Sequence, residues 1–183
     1  GFRGKIVSFE PIDSAFQVLK NEANGDSNWI VNNYALGDRE KVEYINISKN
    51  SESSSLLPML EEHLEAAPQA VYISKEEIQV RRLDDVFSGI VGQKKLNILL
   101  KIDTQGYEEF VLAGAKESLS QIDLIQVELS LTPLYEGAPD LIEMLNIMNS
   151  EGYTIVGIVP VFSNKVNGKL LQADFTFLRK DKS

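Results

Sequence analysis

The apolar run at residues 96–102, which reads LNILLKI, constrains the fold of this sequence more than any other segment. It lacks the alternation of a half-exposed strand and is typical of a strand buried on both faces, as in a parallel sheet. Residues 108–119 then place apolar side chains at helical spacing. A buried strand followed by an amphipathic helix is a repeating unit of α/β folds, so we predict that fold class.

Strands and helices alternate along the rest of the chain. The pattern fits an open, mostly parallel sheet covered on both faces, with residues 41–47 as an exposed or edge strand. No linker or repeat interrupts the sequence, so we expect a single domain over residues 1–183. We predict further strands at residues 5–9, 29–36, 71–83 (two short runs), 122–129, 153–161 and 173–178, and helices at residues 13–22 and 140–150.

Residues 50–69 are the least determinate stretch. They begin with a serine-rich run and include Pro58 and Pro68, which indicates a mobile loop with one short helical piece. The single histidine of the chain, His63, lies here among acidic residues. We expect His63 to be a solvated surface residue, so that any catalytic base would be a carboxylate.

Acidic residues follow several predicted strands, at the end where open α/β sheets bind ligands. Glu10 ends the first strand and Asp38 follows the second. Asp103 follows the buried run, and Glu128 lies near the end of the next strand. We therefore expect these four side chains to collect along one edge of the sheet.

Each of these acids has a second interpretation. Glu10 could accept hydrogen bonds from both hydroxyls of a ribose, or be a solvated carboxylate before a turn. Asp103 follows a buried strand, where an unpaired carboxylate is costly, and Gly106 indicates an unusual turn or a close approach to a ligand. Alternatively, Asp103 or Thr104 caps the next helix. Glu128 could instead face outward from its strand.

Composition and charge exclude several classes of function. The formal net charge is -9 without a basic stripe, which argues against nucleic acid and anionic membranes as partners. No run reaches the roughly 20 apolar residues of a membrane span. With no cysteine and one histidine, we expect no metal site. The N-terminus leads straight into a strand rather than a signal peptide, so we expect a cytoplasmic protein.

The stretch LKIDTQGYE at residues 100–108, followed by VLAGA at residues 111–115, is the most specific motif of the chain. Supporting pieces are VSFEP at 7–11, ALGD at 35–38, LDD at 83–85, QVE at 126–128 and QADF at 172–175. In order and spacing, these segments resemble the FkbM family of methyltransferases. The resemblance covers residues 4–179, nearly the whole chain.

The resemblance implies a Rossmann-like class I methyltransferase sheet, mostly parallel with an antiparallel C-terminal strand. It also implies S-adenosylmethionine as the methyl donor and a hydroxyl of a small molecule or sugar as the acceptor. In that family Glu10, with Pro11 beside it, would bind the ribose of the cofactor. Ala35, Leu36 and Asp38 would lie near its adenine.

The same resemblance assigns the catalytic side of the site. Asp103 would lie between the methionine end of the cofactor and the methyl acceptor, where it positions the reactants or takes the proton. Glu108 and Glu128 would line the acceptor side and are the alternative bases.

Two departures from the family pattern stand out. Gln105 replaces a glutamate, which removes one negative charge beside the site. The chain also starts at what looks like the second strand, without the first strand and glycine-rich turn that approach the cofactor. We therefore expect a fragment of a longer protein or impaired cofactor binding. Open sheet edges would also favour pairing into a homodimer.

Two other functions stay open. A nicotinamide-dependent enzyme could use a similar sheet, although no G-x-G-x-x-G motif is present. A degenerate methyltransferase fold could act as a binding module without activity, which Gln105 and the missing strand favour.

Overall fold

The computed structural model describes residues 2–92 and 96–182 and shows a mixed α/β fold over these ranges. The described elements are, in chain order, β1 Ile6–Phe9, α1 Asp13–Glu22, β2 Trp29–Asn32, β3 Ala35–Leu36, β4 Lys41–Ser48, α2 Glu61–Ala66, β5 Tyr72–Arg81, α3 Leu83–Val91, β6 Leu99–Ile102, α4 Glu108–Ala113, β7 Leu124–Ser130, α5 Leu141–Ser150, β8 Tyr153–Ser163 and β9 Leu170–Arg179. Single 3₁₀ turns lie at Pro68–Ala70, Leu119–Gln121 and Lys180–Lys182.

The described strands form three sheets rather than one open sheet. β1 pairs with β2 in parallel, and β5 lies between β3, its parallel neighbour, and β4, its antiparallel neighbour. The largest sheet has the order β6-β7-β9-β8, in which β6 and β7 are parallel. β9 is antiparallel to both of its neighbours. The predicted antiparallel C-terminal strand is confirmed, whereas the mostly parallel arrangement is wrong because the sheets are mixed.

Two predicted strands have different bounds in the structure. The predicted strand at residues 29–36 is split, because the chain leaves β1 after Asn32 and pairs with β5 from Ala35. The Asn33 side chain fixes this exit by donating hydrogen bonds to the carbonyls of Glu10 and Pro11 at 3.1 and 3.2 Å. The two short runs predicted at residues 71–83 are the single strand β5.

The helix predicted at residues 108–119 is shorter than expected. It ends at Ala113, and Gly114 packs against the backbone so closely that a Cβ there would overlap the carbonyl oxygen of Gly37. The close contact joins the helix to the turn after β3. Only glycine can occupy such a position without displacing backbone.

The strand β6 was predicted to be buried on both faces, and this expectation is wrong. Leu99 is 58 % exposed, because β6 lies at the edge of its sheet and pairs with β7 on one side only. Its other side borders a groove that also runs along β1. Leu99 therefore faces open space, whereas Ile102 at the other end of β6 is 2 % exposed and belongs to the main core.

The main core lies between the largest sheet and the helices α3, α4 and α5. It contains Ile125, Val127 and Phe177 from the sheet and Val111 and Met148 from the helices. Two smaller cores lie beneath β4 and β5 and around the loop after β7. No described helix has the length and apolar character to cross a membrane.

Residues 50–69 are packed against the rest of the fold, which corrects the expectation of a mobile loop. Isolated bridges pair Ser55 with Asn46 and Met59 with Tyr135, and Ser53 and Ser55 are buried. The predicted short helical piece is confirmed as α2. Because the segment is held by contacts distant in sequence, its local composition concealed its order.

Candidate active site

Two cavities meet at the carboxyl end of β6. The larger, of about 770 Å³, is the β1–β6 groove, which runs along β1 and β6 and reaches Ala35 and Leu36. The smaller, of about 360 Å³, is the polar cavity, whose lining includes Glu128 of β7 and Gln172 of β9. Glu52, Asp103 and Gln105 line both of them.

Most of the predicted cofactor residues lie in the β1–β6 groove. Its lining includes Glu10, Pro11, Ala35, Leu36 and Asp103. The acid at the end of β1 and the acid at the end of β6 therefore share one opening. This is the arrangement expected where neighbouring strands of an α/β sheet end together.

Asp38 is the exception among them. Among the described residues it lines neither cavity, and its side chain forms a 3.7 Å ion pair with the neighbouring Arg39. Its Oδ1 is buried and finds no hydrogen-bond partner among the described residues. The structure thus separates Asp38 from the three other acids.

Glu10 is a half-buried carboxylate at the wall of the groove. Its Oε1 accepts a hydrogen bond of 2.9 Å from the backbone N–H of Ile12, which orients the side chain. Burial raises the pKa of Glu10, the bond from Ile12 opposes that rise, and the charge of Glu76 adds to it. The local turn thus holds an acceptor group beside the groove.

Asp103 stands at the junction of the two cavities. Its Oδ2 accepts a hydrogen bond of 2.7 Å from Lys101 Nζ, and its Oδ1 accepts one of 3.1 Å from Gln105 Nε2. It does not cap α4, since Tyr107 occupies the N-cap position without a side-chain hydrogen bond. Both carboxylate oxygens are instead held by neighbours on the same loop.

Glu108 shapes the turn that carries Asp103 and Gln105. Its Oε1 accepts hydrogen bonds from the backbone N–H groups of Thr104 and Gly106 and from the Thr104 hydroxyl, at 3.0–3.1 Å. Burial raises the pKa of Glu108, although these donors oppose the rise. Glu108 lies beneath the turn, and among the described residues it lines neither cavity.

The turn itself has two residues in the left-handed region. Gln105 has φ 55° and Gly106 has φ 96°. A Cβ at Gly106 would lie 2.9 Å from Tyr135 Cβ, so glycine is required both by its φ and by the close approach of that ring. A glutamine at positive φ is uncommon, and such strain often accompanies functional sites.

Gln105 bridges two carboxylates of the site. Its Nε2 donates to Asp103 and to Glu128 Oε2, the latter at 2.8 Å. Its Oε1 accepts a bond of 2.7 Å from the hydroxyl of Tyr135. Because that hydroxyl can donate and both carboxylates can only accept, the network fixes which way the amide points.

Glu128 is a cavity acid whose proton affinity is strongly raised. Its Oε2 accepts a second hydrogen bond, of 2.9 Å, from Gln172 Nε2. Burial, with the nearby charge of Asp103 as the next cause, raises the pKa of Glu128 to about 7. A carboxyl group that titrates near neutral pH can accept and release a proton under physiological conditions.

His63 is buried, so its prediction as a solvated surface residue is wrong. It is 2 % exposed and packs against Tyr135 and Phe162, with both ring centroids at 5.3 Å. Burial lowers the pKa of His63, which favours the neutral imidazole. The ring lines the polar cavity with Asp103 and Glu128, so a histidine does lie near the predicted carboxylates.

A pattern in the sequence could have located His63. Leu60, His63, Leu64 and Ala67 follow the i, i+3, i+4, i+7 spacing of one helix face. The three glutamates around them concealed that spacing. Sequence reasoning missed the contribution of segment 50–69, which supplies half of the described residues that line the polar cavity, namely Asn50, Glu52, Ser53, His63, Ala67 and Gln69.

Comparison with known proteins identifies the family. The model of the methyltransferase FkbM domain matches residues 1–155. The chain belongs to the FkbM methyltransferase family. The resemblance drawn from the motif at residues 100–108 is therefore confirmed for this FkbM family member.

Two known methyltransferases are similar to this FkbM family member. The 2-O-methyltransferase NoeI of Sinorhizobium fredii is 35 % identical over 94 residues, which are 51 % of this chain and 36 % of that protein. The crystal structure of methyltransferase FkbM from Methylobacillus flagellatus matches with a TM-score of 0.52 and 18 % identity over 93 % of this chain and 36 % of that chain. This second match shows the fold alone. The chain spans about a third of the length of either relative, at 36 %.

Proposed function

We propose that the protein is an S-adenosylmethionine-dependent O-methyltransferase that acts on a hydroxyl of a small molecule or sugar. The observation that carries this proposal is Asp103, which lines both the groove that contains Glu10 and the cavity that contains Glu128. Methyl transfer depends on holding donor and acceptor at attack distance, and two cavities with a common wall allow that. The FkbM family match and the name of the S. fredii relative support the chemistry.

The β1–β6 groove suits the proposed cofactor. Its volume of about 770 Å³ falls within the ~300–1,000 Å³ of small-molecule sites. Glu10 would accept hydrogen bonds from the ribose hydroxyls, and Ala35 and Leu36 would flank the adenine. When bound, S-adenosylmethionine supplies an electrophilic methyl group on a positively charged sulfur, beside the carboxylate of Asp103.

We also propose that the sheets correspond to a Rossmann-like class I methyltransferase sheet without its first strand and glycine-rich turn. β1 and β6 each pair with one described strand, and the groove separates their free edges. The first strand would fill the part of the groove between those edges and leave the Glu10–Asp103 end for the cofactor. Pairing of a free edge with a second copy remains the alternative, which sedimentation would test.

Glu128 is the proton acceptor that this geometry favours. Gln105 and Gln172 hold its carboxylate at the wall of the polar cavity. As the acceptor oxygen bonds to the methyl carbon and the bond of that carbon to sulfur breaks, releasing S-adenosylhomocysteine, the hydroxyl proton would pass to Glu128. Asp103 serves in positioning, because Lys101 and Gln105 already occupy both of its oxygens.

The test measures cofactor binding and methyl transfer on the same protein. We expect saturable binding of S-adenosylhomocysteine in calorimetry and methyl transfer to a panel of hydroxyl compounds. The rate should rise with pH up to about 7, where Glu128 loses its proton, and then level off. Binding without transfer to any acceptor would favour the inactive binding module, and failure to bind would contradict the proposal.

A further inference from the structure

We propose that the polar cavity selects acceptors that carry a protonated amine and rejects acceptors that carry a negative charge. The inference rests on the proposed function, because it names the charge of the hydroxyl compound that Glu128 would deprotonate. It follows from three independent features of the cavity lining, which are its charges, its hydrogen-bond donors and the buried ring of His63.

The charged groups of the lining are all acidic. Glu52, Asp103 and Glu128 line the polar cavity, and no described lysine or arginine does so. Carboxylates only accept hydrogen bonds, whereas an ammonium group has three donors and no acceptor. A protonated amine therefore complements this wall, and an anion placed against it would be repelled.

The amide donors of the lining mainly hold its carboxylates and its loop. Gln105 Nε2 donates to both Asp103 and Glu128, and Gln172 Nε2 donates to Glu128. Asn50 Nδ2 donates to Ser53 Oγ at 3.0 Å. An amide nitrogen has two donor hydrogens, so Gln105, which lies between two of the carboxylates, has none left for an anionic ligand, whereas Gln172 and Asn50 each keep one.

One cation contacts the lining directly. Lys101 binds Asp103 at 2.7 Å, so it offsets the charge of that carboxylate. Recruiting Lys101 to an anionic ligand would break this ion pair. Glu52 and Glu128 form no ion pair with a described lysine or arginine, so they provide the uncompensated part of the acidic wall.

His63 adds a buried ring without a favoured positive charge to the wall. Its ring lines the cavity, the residue is 2 % exposed, and burial lowers its pKa, which favours the neutral imidazole. Beside it, Phe162 presents an aromatic ring to the cavity, which also attracts a cation.

The test uses three sugars of one ring size that differ in charge. Binding of glucosamine, glucose and glucuronate is measured by calorimetry at pH 7.5, above the pKa of Glu128, and at low salt, with and without saturating S-adenosylhomocysteine. We expect glucosamine to bind about five- to tenfold more tightly than glucose, and glucuronate to bind more weakly than glucose. The advantage of the amine should shrink as salt is added, because salt screens charge interactions.

A variant that removes one negative charge from the lining tests whether the polar cavity causes the preference for the amine. Glu52→Gln should reduce the advantage of glucosamine over glucose, taken as the ratio of their Kd values for the same variant, about threefold. Glu65→Gln is the matched control, since it removes the same charge from an exposed position on α2 outside the cavity lining.

The outcomes separate this inference from the proposed function. The inference is overturned if glucuronate binds as well as glucose, if the amine gives no advantage, or if no sugar binds. Because the sugars are also tested alone, the result holds whether or not S-adenosylhomocysteine binds. Loss of S-adenosylhomocysteine binding alone would contradict the cofactor proposal and leave the charge preference standing.

Discussion

The β1–β6 groove and the polar cavity share Asp103 and Gln105, yet they are built in different ways. The groove is formed by the edges of two strands and by the residues directly after them, and much of its lining is apolar. The polar cavity is formed by side chains from the loop at residues 50–53, from α2, from the turn after β6 and from β7, β8 and β9. The hydrogen bonds of Gln105 connect Asp103, Glu128 and Tyr135 across these segments.

This difference separates the effects of substitution. Backbone geometry gives the groove its shape, so changing one side chain there should remove one ligand contact and little else. The cavity depends on a connected network, so one change should alter the charge and position of several groups. Substitutions at the junction, in the cavity and in the groove can test that distinction.

The largest effect is expected at the junction. Asp103→Ala should lower methyl transfer about 10³-fold, because it removes a wall of both cavities and leaves Lys101 without its partner. Asp103→Asn keeps the shape without the charge and should recover part of this loss. Turnover is measured alongside thermal unfolding to confirm that both variants fold. Near-normal turnover of Asp103→Ala would remove Asp103 from the mechanism.

In the cavity, Glu128→Gln should increase stability at alkaline pH. The folded-state pKa of Glu128 is raised from 4.5 to about 7, so between these values the folded protein binds the extra proton and loses stability as pH rises. After allowance for partial exposure, we expect the variant to gain about 2 kcal/mol over the wild type at pH 8 and nothing at pH 4.

Chemical denaturation at the two pH values measures this difference. Glu65→Gln, at an exposed position on α2, is the control for loss of one charge. If Glu128→Gln were equally stable relative to the wild type at both pH values, the carboxyl group would titrate normally. The cavity would then not be the strained, coupled site that its geometry indicates.

The two regions also differ in how far the sequence predicted them. Glu10 and Asp103 were placed in one site because apolar runs locate strand ends, and strand ends meet at one edge of the sheet. The exposure predicted for His63 was wrong because its burial depends on packing against Tyr135 and Phe162, which lie far away in the sequence. The burial predicted for Leu99 was wrong because an apolar run does not reveal whether its strand has a neighbour on both sides.

In the groove, Glu10→Gln should weaken S-adenosylhomocysteine binding about tenfold. It replaces charge-assisted hydrogen bonds to the ribose with neutral ones, a loss of roughly 1 kcal/mol or slightly more. Calorimetry gives the change in Kd, and thermal unfolding should be nearly unchanged. If binding and stability fell together, the groove would behave as a network, and the contrast with the cavity would fail.

The smallest effect distinguishes the network from simple packing. Tyr135→Phe keeps the buried ring and removes only the hydroxyl that donates to Gln105 Oε1. The amide of Gln105 is then free to turn its oxygen toward Asp103 and Glu128, so we expect methyl transfer to fall about threefold. NMR titration should also show a higher pKa for Glu128, since it would have lost a donor.

Tyr153→Phe is the matched comparison. Tyr153 is equally buried, and its hydroxyl donates to the carbonyls of Leu119 and Ile122, away from both cavities. Each variant should lose about 1 kcal/mol of stability, because each leaves buried acceptors without a donor. Only Tyr135→Phe should change the pKa of Glu128 and the rate of methyl transfer. Equal behaviour of the two would mean that Gln105 is oriented by packing, and that the cavity, like the groove, is shaped by the backbone.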